Sequence, residues 1–280
     1  MNVLYQYMEE KLITFEREFD RYKHWIVSFD DNNAVLYLDV SEKDGLKPGY
    51  ELKLNSYDLG VDIELNDIIQ RIRFELPTVK VVTITSKKDK NFSAGANIYM
   101  LATSDHSWKV NFCKFTNETR NSFEDSSKNG SLKFIAAING TCAGGGYEIA
   151  LACDEIILVD DRSSTISLPE VPLLGVLPGT GGLTRLIDKR KVRKDLADIF
   201  CTNPDGVRGK KALDWNLVDY IAPPSKFNSL VQSRVLELSK TVKYRDGKVG
   251  VKLQKLQREV KSNSINYENI SCILNREQDR

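Results

Sequence analysis

Residues 136–158 read AAINGTCAGGGYEIALACDEIIL, and residues 168–186 read LPEVPLLGVLPGTGGLTRL. The first stretch decides the fold. KFIAAI (133–138) is a run of apolar and β-forming residues, so it predicts a buried strand. The small residues Cys142 to Gly146 break that run, YEIALAC predicts a short helix, and EIILV predicts the next strand. Five residues, DDRSS, then predict a hairpin that returns through TISLPE. A strand, a glycine turn, a helix and a strand in that order point to an α/β architecture.

The same grammar extends upstream. VKVVTIT (79–85) predicts a buried strand, and FSAGAN follows as a second turn built of small residues. Val61, Leu65, Ile68, Ile69, Ile72 and Leu76 follow the 3.6-residue period, so Asp62–Glu75 is expected to be an amphipathic helix closed by Pro77. Trp108, Phe112, Phe115, Thr119 and Phe123 mark one face of another long helix. HWIVSFD and AVLYLDV predict two strands around the turn DDNN, and LKPGYELKLNSYDLG reads as an exposed connection. The first twenty residues carry Leu12, Phe15 and Phe19 at helical spacing, and the segment after Phe227 predicts lysine-rich helices. The expected organisation is a lead-in over 1–24, a core over 25–222 and a helical segment over 223–280.

Composition removes several function classes. The chain has 280 residues and a net charge of +1, with 40 Lys and Arg interleaved among 39 Asp and Glu. No basic face is expected for nucleic acid or an anionic membrane. The longest apolar stretch, Phe134–Val159, is interrupted by Asn139, three glycines, Glu148, Asp154 and Glu155, so no membrane span is expected. The acidic start lacks an apolar signal core. Five cysteines, odd in number and without metal-ligand spacing, fit free thiols in a reducing compartment. A cytoplasmic protein with no metal site is expected.

Two glycine turns, SAGAN and CAGGGY, each leave a strand and open a helix. Small side chains let a backbone approach a ligand, and a helix start offers unpaired N–H groups beside a partial positive charge. Two such donors suit a developing oxyanion; ordinary turn chemistry is the competing explanation. A dinucleotide site is rejected, because Ile149 stands where G-x-G-x-x-G needs its last glycine. GTGGLTR (179–185) lacks the lysine of a phosphate loop. Glu148 in the short helix and Glu170 at the end of the return strand stand out as acids. A seven-residue helix advances about 10 Å and six strand residues about 20 Å. A hairpin that returns about 16 Å would bring the two acids within one substrate's width. Such a pair can divide general acid and general base work. His24 and His106 receive no chemistry.

These residues resemble the enoyl-CoA hydratase/isomerase (crotonase) superfamily from about Trp25 to Ala222. NFSAGANIYML resembles its other motif, and KLNSYD falls on its first acyl-CoA-contacting loop. The resemblance implies a spiral of ββα turns that binds an acyl-CoA thioester, with coenzyme A arriving as part of the substrate and no separate cofactor. It implies an oxyanion hole from the N–H groups of Ala96 and Gly145, and catalytic acids at Glu148 and Glu170. Asn55, Ser93, Ala94, Asn97 and Gly144 would contact the substrate, with Asn97 capping the next helix. Lys88 and Lys90, beside Lys87, are candidates for the CoA phosphates; a solvated loop is the alternative. Within the superfamily the sequence is similar to the benzoyl-CoA-dihydrodiol lyases, which open the ring of 2,3-epoxybenzoyl-CoA and release formate. That likeness adds Cys113, in NFCKFTNETRN, as a pocket residue against its reading as a small buried hydrophobe. Those lyases continue into a second half absent here, so a shortened or split version is expected. A generic enoyl-CoA hydratase and a non-catalytic acyl-CoA binder are the alternatives. Apolar Val235, Leu236, Leu238, Val251, Leu253 and Leu256 in the terminal segment predict a homo-oligomer.

Overall fold

The structure is a computed structural model that describes residues 15, 17–30, 32–242 and 251–274. From the start the chain forms β1 (Trp25–Asp30), β2 (Asn33–Leu38), β3 (Ser56–Tyr57) and helix α1 (Leu59–Glu75). Next come β4 (Val81–Ser86), β5 (Lys90–Ser93), β6 (Gly95–Ala96), α2 (Ile98–Thr103) and the long α3 (His106–Asn129). The glycine-rich stretch gives β7 (Lys133–Ile138), β8 (Gly140–Ala143) and α4 (Gly145–Ala152). It is followed by β9 (Glu155–Val159), β10 (Ile166–Ser167) and α5 (Glu170–Leu174). A short helix α6 (Gly182–Thr184) runs into a π-helical turn, Arg185–Lys189. The remainder is α7 (Lys194–Thr202), α8 (Gly209–Asp214), β11 (Tyr220–Ala222), α9 (Pro224–Thr241) and the short strands β12 (Glu259–Val260), β13 (Ser264–Asn266) and β14 (Ser271–Ile273).

A six-stranded sheet in the order β1-β2-β4-β7-β9-β11 forms the spine, antiparallel at β1–β2 and parallel from there on. After each of β4, β7 and β9 the chain steps into a second, smaller parallel sheet of order β10-β8-β5, and then into a helical segment. Strand, strand, helix is therefore repeated as a spiral. The repeat replaces the expected hairpin at DDRSS. β10 does not fold back on β9; it pairs in parallel with β8, Ile166 opposite Cys142 and Ser167 opposite Ala143. Parallel neighbours lie about 4.8 Å apart, so the helices that follow β8 and β10 start side by side.

Side-chain alternation sorts the spine into two faces. Phe134, Ala136 and Ile138 of β7 face the main core under α1, α3 and α4, where Phe123 stacks on Phe134 with centroids 4.8 Å apart. Ile135 and Ala137 face the other side, a smaller cluster covered by Phe227 and Val235 of α9. Each large apolar side chain buried this way contributes about 1.5–3 kcal/mol.

Several elements differ from the sequence expectation. Helix α1 starts three residues early because Asp58 caps it, accepting from Val61 N at 3.1 Å. The connection before it is exposed only in part: Lys47, Pro48, Gly49, Glu51, Lys53 and Leu54 are exposed, while Leu52, Asn55, Ser56 and Tyr57 are buried. Leu12 lies outside the described residues, and the chain from 17 to 24 is turn and irregular rather than helix. Among the described residues of 223–280 the helix runs from Pro224 to Thr241, and from 259 to 273 they form a small antiparallel sheet instead. Val251, Leu253 and Leu256 are about three-quarters exposed, so they pack on no described helix face.

The entry to β1 depends on a buried histidine. Glu64 accepts the N–H groups of Lys23 and His24, both at 2.9 Å, while His24 Nδ1 accepts from Ser41 N at 3.3 Å. Burial pushes the His24 pKa down, against the opposing pull of Glu64. A folded pKa below the unfolded one supplies stability at neutral pH that is lost as pH falls below about 6.5. Urea midpoints at pH 7.5 and pH 5.5 should therefore differ more for the wild type than for His24→Asn, which keeps an acceptor and cannot titrate.

Candidate active site

The two glycine turns meet backbone to backbone. Gly95 has φ +82°, and a Cβ placed on it would lie 2.7 Å from Ala143 O and 2.9 Å from Gly145 N. No side chain fits there. Gly144, at φ +51°, would strike a carboxylate oxygen of Glu170 at 2.8 Å. A Cβ on Gly145 would sit 3.5 Å from Ala96 N, so the two amide nitrogens named from the sequence belong to one locus. Gly145 is the first residue of α4, whose start has no side-chain cap. A pair of backbone nitrogens at a helix start suits an oxygen that gains negative charge.

Glu148 and Glu170 converge on this point, because their helices follow the adjacent strands β8 and β10. Glu148 is buried, and its carboxylate accepts from Thr180 N at 2.9 Å, Gly182 N at 2.8 Å and the Thr180 hydroxyl. Glu170 is half-buried, and its Oε2 has no hydrogen-bond partner. Burial, and then the charge of Glu148, push its pKa up to about 7. Two acids of one residue type thus stand in opposite environments, one anchored and one free.

Cys113 of α3 lies beside the loop that grips Glu148. From α3 its Sγ would be 3.2 Å from a Cβ on Gly179, and burial and the charge of Glu148 push its thiol pKa up. Asn117, one turn on, donates to Gly179 O at 2.8 Å. Arg185 pairs with Glu124 of α3 at 2.9 Å and donates to Thr180 O at 3.0 Å. The loop that grips Glu148 is thereby strapped to α3. Thr180, Gly182 and Arg185 were missed by sequence reasoning. GTGGLTR is legible in the sequence as a glycine-rich stretch within the family motif, but nothing local marks its N–H groups as donors to Glu148.

The other expected contacts divide. Ala94 is exposed and lines a cavity of about 720 Å³ beside Ala96, together with Tyr50, Lys53, Leu54 and Tyr99. Asn97 lines it too, though its side chain is committed: Oδ1 caps α2 at Met100 N, and Nδ2 donates to Glu51 O and Ser56 Oγ. Two expectations need correction. Asn55 is fully buried, accepting from Val40 N and donating to Leu38 O, Ser86 Oγ and Phe92 O, so no donor remains for a ligand. Ser93 is also fully buried, donating to Asn55 O and accepting from Gly95 N. Both shape the turn from inside. Lys88 faces Asp39 at 3.8 Å and Lys90 is exposed; neither lines the cavity, where Lys53 is the cation. Among the described residues no group of three or more His, Cys, Asp or Glu is placed to hold a metal ion.

The spiral of strand, strand and helix is the crotonase architecture. The chain belongs to the enoyl-CoA hydratase/isomerase family, whose model matches residues 51–270. It is 58% identical over 264 residues to the benzoyl-CoA-dihydrodiol lyase of Aromatoleum evansii, covering 94% of this chain and 48% of that protein. It is 36% identical over 199 residues to the fatty acid oxidation complex subunit alpha of Shewanella loihica, covering 70% of this chain and 26% of that one. Among solved structures, an enoyl-CoA hydratase from Geobacillus kaustophilus superposes with a TM-score of 0.67 at 33% identity, covering 78% of this chain and 75% of that one. The superfamily and the fold expected from the motifs are borne out. The chain spans about half the length of the lyase it matches.

Glu170 leaves a thermodynamic trace. A carboxyl whose folded pKa is about 7 against an ordinary 4.5 holds an extra proton when folded. Stability therefore falls as pH rises through that window and stays lower above it. Glu170→Gln removes the cost, so at pH 8 the variant should be about 1–3 kcal/mol more stable than the wild type in urea titration, the gap closing near pH 4.5.

Proposed function

We propose that this chain carries the acyl-CoA site of a ring-opening lyase, which uses water to open 2,3-epoxybenzoyl-CoA and releases formate in aerobic benzoyl-CoA breakdown. The observation that carries the reading is the 58% identity to a benzoyl-CoA-dihydrodiol lyase across nearly the whole chain. The site chemistry supports it. A thioester oxygen held between the N–H groups of Ala96 and Gly145 would draw electron density from the ring as an enolate. Glu170, protonated up to about pH 7, is the proton donor. Glu148, fixed by Thr180 and Gly182, orients water and takes its proton. Cys113 keeps its proton at neutral pH and serves as a water-holding group rather than a nucleophile. Coenzyme A belongs to the substrate, and the scheme uses no further cofactor.

We read the protein as cytoplasmic and homo-oligomeric. No described helix is long and apolar enough to cross a membrane. Exposed Leu236, Val251, Leu253 and Leu256 supply apolar surface for a second copy. Light scattering at micromolar concentration should give more than one chain per particle, and a monodisperse monomer would count against the assembly.

Feeding 2,3-epoxybenzoyl-CoA to the purified chain should yield formate. Glu148→Gln and Glu170→Gln should each lower turnover by about 10²–10⁴-fold while still binding the thioester. Cys113→Ala should be milder. Because Glu170 must be protonated, kcat/KM should fall as pH rises past about 7. Hydration of crotonyl-CoA without formate would select a generic hydratase. Thioester binding without turnover would select a binding protein, and full activity of Glu170→Gln would remove the two-acid scheme.

A further inference from the structure

A fully buried charge cluster lies under the candidate site and takes no part in the scheme above. Asp62 of α1, Arg120 and Thr119 of α3 and Tyr57 of β3 are each at most 2% exposed. Asp62 accepts from Tyr57 Oη at 2.5 Å, from Thr119 Oγ1 at 2.7 Å and from the Arg120 guanidinium. The guanidinium carbon lies 5.2 Å from the centroid of the Tyr57 ring, and Arg120 Nε finds no acceptor. A buried ion pair is a poor way to gain stability, because desolvation offsets most of the attraction and an apolar set of the same volume does as well. An interior this polar calls for a reason other than cohesion.

The cluster's outer contacts supply one. Tyr57 stands opposite Ala96 in the β3–β6 pairing, and its carbonyl accepts from Asn97 N at 2.9 Å. The strand bearing one proposed oxyanion donor is therefore held through Tyr57, and Tyr57 is held through Asp62 to α3. On α3 the residues Cys113, Asn117, Arg120, Asn121 and Glu124 recur at helical spacing along one stripe. Cys113 and Asn117 meet Gly179, and Asn121 and Glu124 hold Arg185, the strap on the Thr180–Gly182 loop that grips Glu148. One helix thus carries both halves of the site.

We propose that the Asp62–Arg120 pair, with Tyr57 and Thr119, is a positioning device that sets the Ala96 strand at a fixed distance from Glu148. This rests on the reading of Ala96 and Gly145 as the donors to a thioester oxygen. Directional bonds from β3 and from α3 to one carboxylate on α1 fix the strand along more than one axis, which apolar packing does not do. A misplacement of about 1 Å in such a site is enough to cost roughly a hundredfold in rate.

The test separates position from binding and from folding. The probe is 4-dimethylaminocinnamoyl-CoA, whose push–pull absorption moves to the red when its thioester carbonyl is polarised. The purified chain should bind it with a red shift. Tyr57→Phe and Thr119→Val each delete one hydrogen bond to Asp62 and leave the ion pair, so they are the variants of choice. Each should keep the probe's Kd within about threefold, reduce the red shift and lower kcat about ten- to a hundredfold with little change in KM. Thr119→Ser, which restores the hydroxyl, should restore the shift. Variants that melt earlier but keep the full red shift and kcat would confine the cluster to stability and overturn the proposal. A wild-type chain that fails to bind the probe would instead remove the thioester reading, and this inference with it.

Discussion

Everything at the candidate site depends on how closely two backbones approach. Gly95 touches the Ala143–Gly145 peptide units at distances that no Cβ could share. That contact joins β6 to the start of α4, and so brings Ala96 N beside Gly145. It sits at the end of the smaller sheet, where β5 and β8 run as neighbours. The constraint is steric before it is chemical. An alanine at position 95 would separate the turns, and with them any two-donor site built from backbone nitrogens.

Around that contact the fold places two carboxylates in unlike surroundings. Parallel pairing of β10 with β8 starts their helices side by side. Glu148 then receives three donors from the Thr180–Gly182 loop, while Glu170 receives none at Oε2. The same residue type is therefore an oriented acceptor in one place and, with its pKa pushed up to about 7, a carboxyl that holds its proton toward neutrality in the other. The contrast follows from the loop donors that fall on Glu148 and from the burial of Glu170 beside that charge.

Helix α3 connects these parts. Its apolar side, with Phe112 and Phe123, is ordinary core. Its polar stripe meets the loop at Gly179 and Arg185 and the β3–β6 pair through Asp62 and Tyr57. A side chain as costly to bury as Arg120 is tolerated because Asp62 receives its charge, and it leaves one guanidinium N–H unmet. The helix period marked this segment by its aromatic residues, and the aromatic residues were only half of its role.

The sequence alone was enough for the alternation of strands and helices, the two glycine turns and the identity of both acids. Those features are local: a 3.6 period, a run of β-branched residues and a cluster of small residues leave their mark within a dozen positions. The partners of those residues were not legible. That DDRSS leads to a parallel strand in a second sheet, that residues 259–273 form strands, and that Asn55 and Ser93 turn inward rather than toward a ligand depend on chain segments far apart in sequence. So do the grip of Thr180 and Gly182 on Glu148 and the burial of Arg120 on Asp62, pairs separated by 32, 34 and 58 residues. A hydrogen bond across such a gap leaves no periodicity in the sequence, because what selects it is the space the packed strands leave. The sequence determined which groups are present; the tertiary structure decided which of them meet.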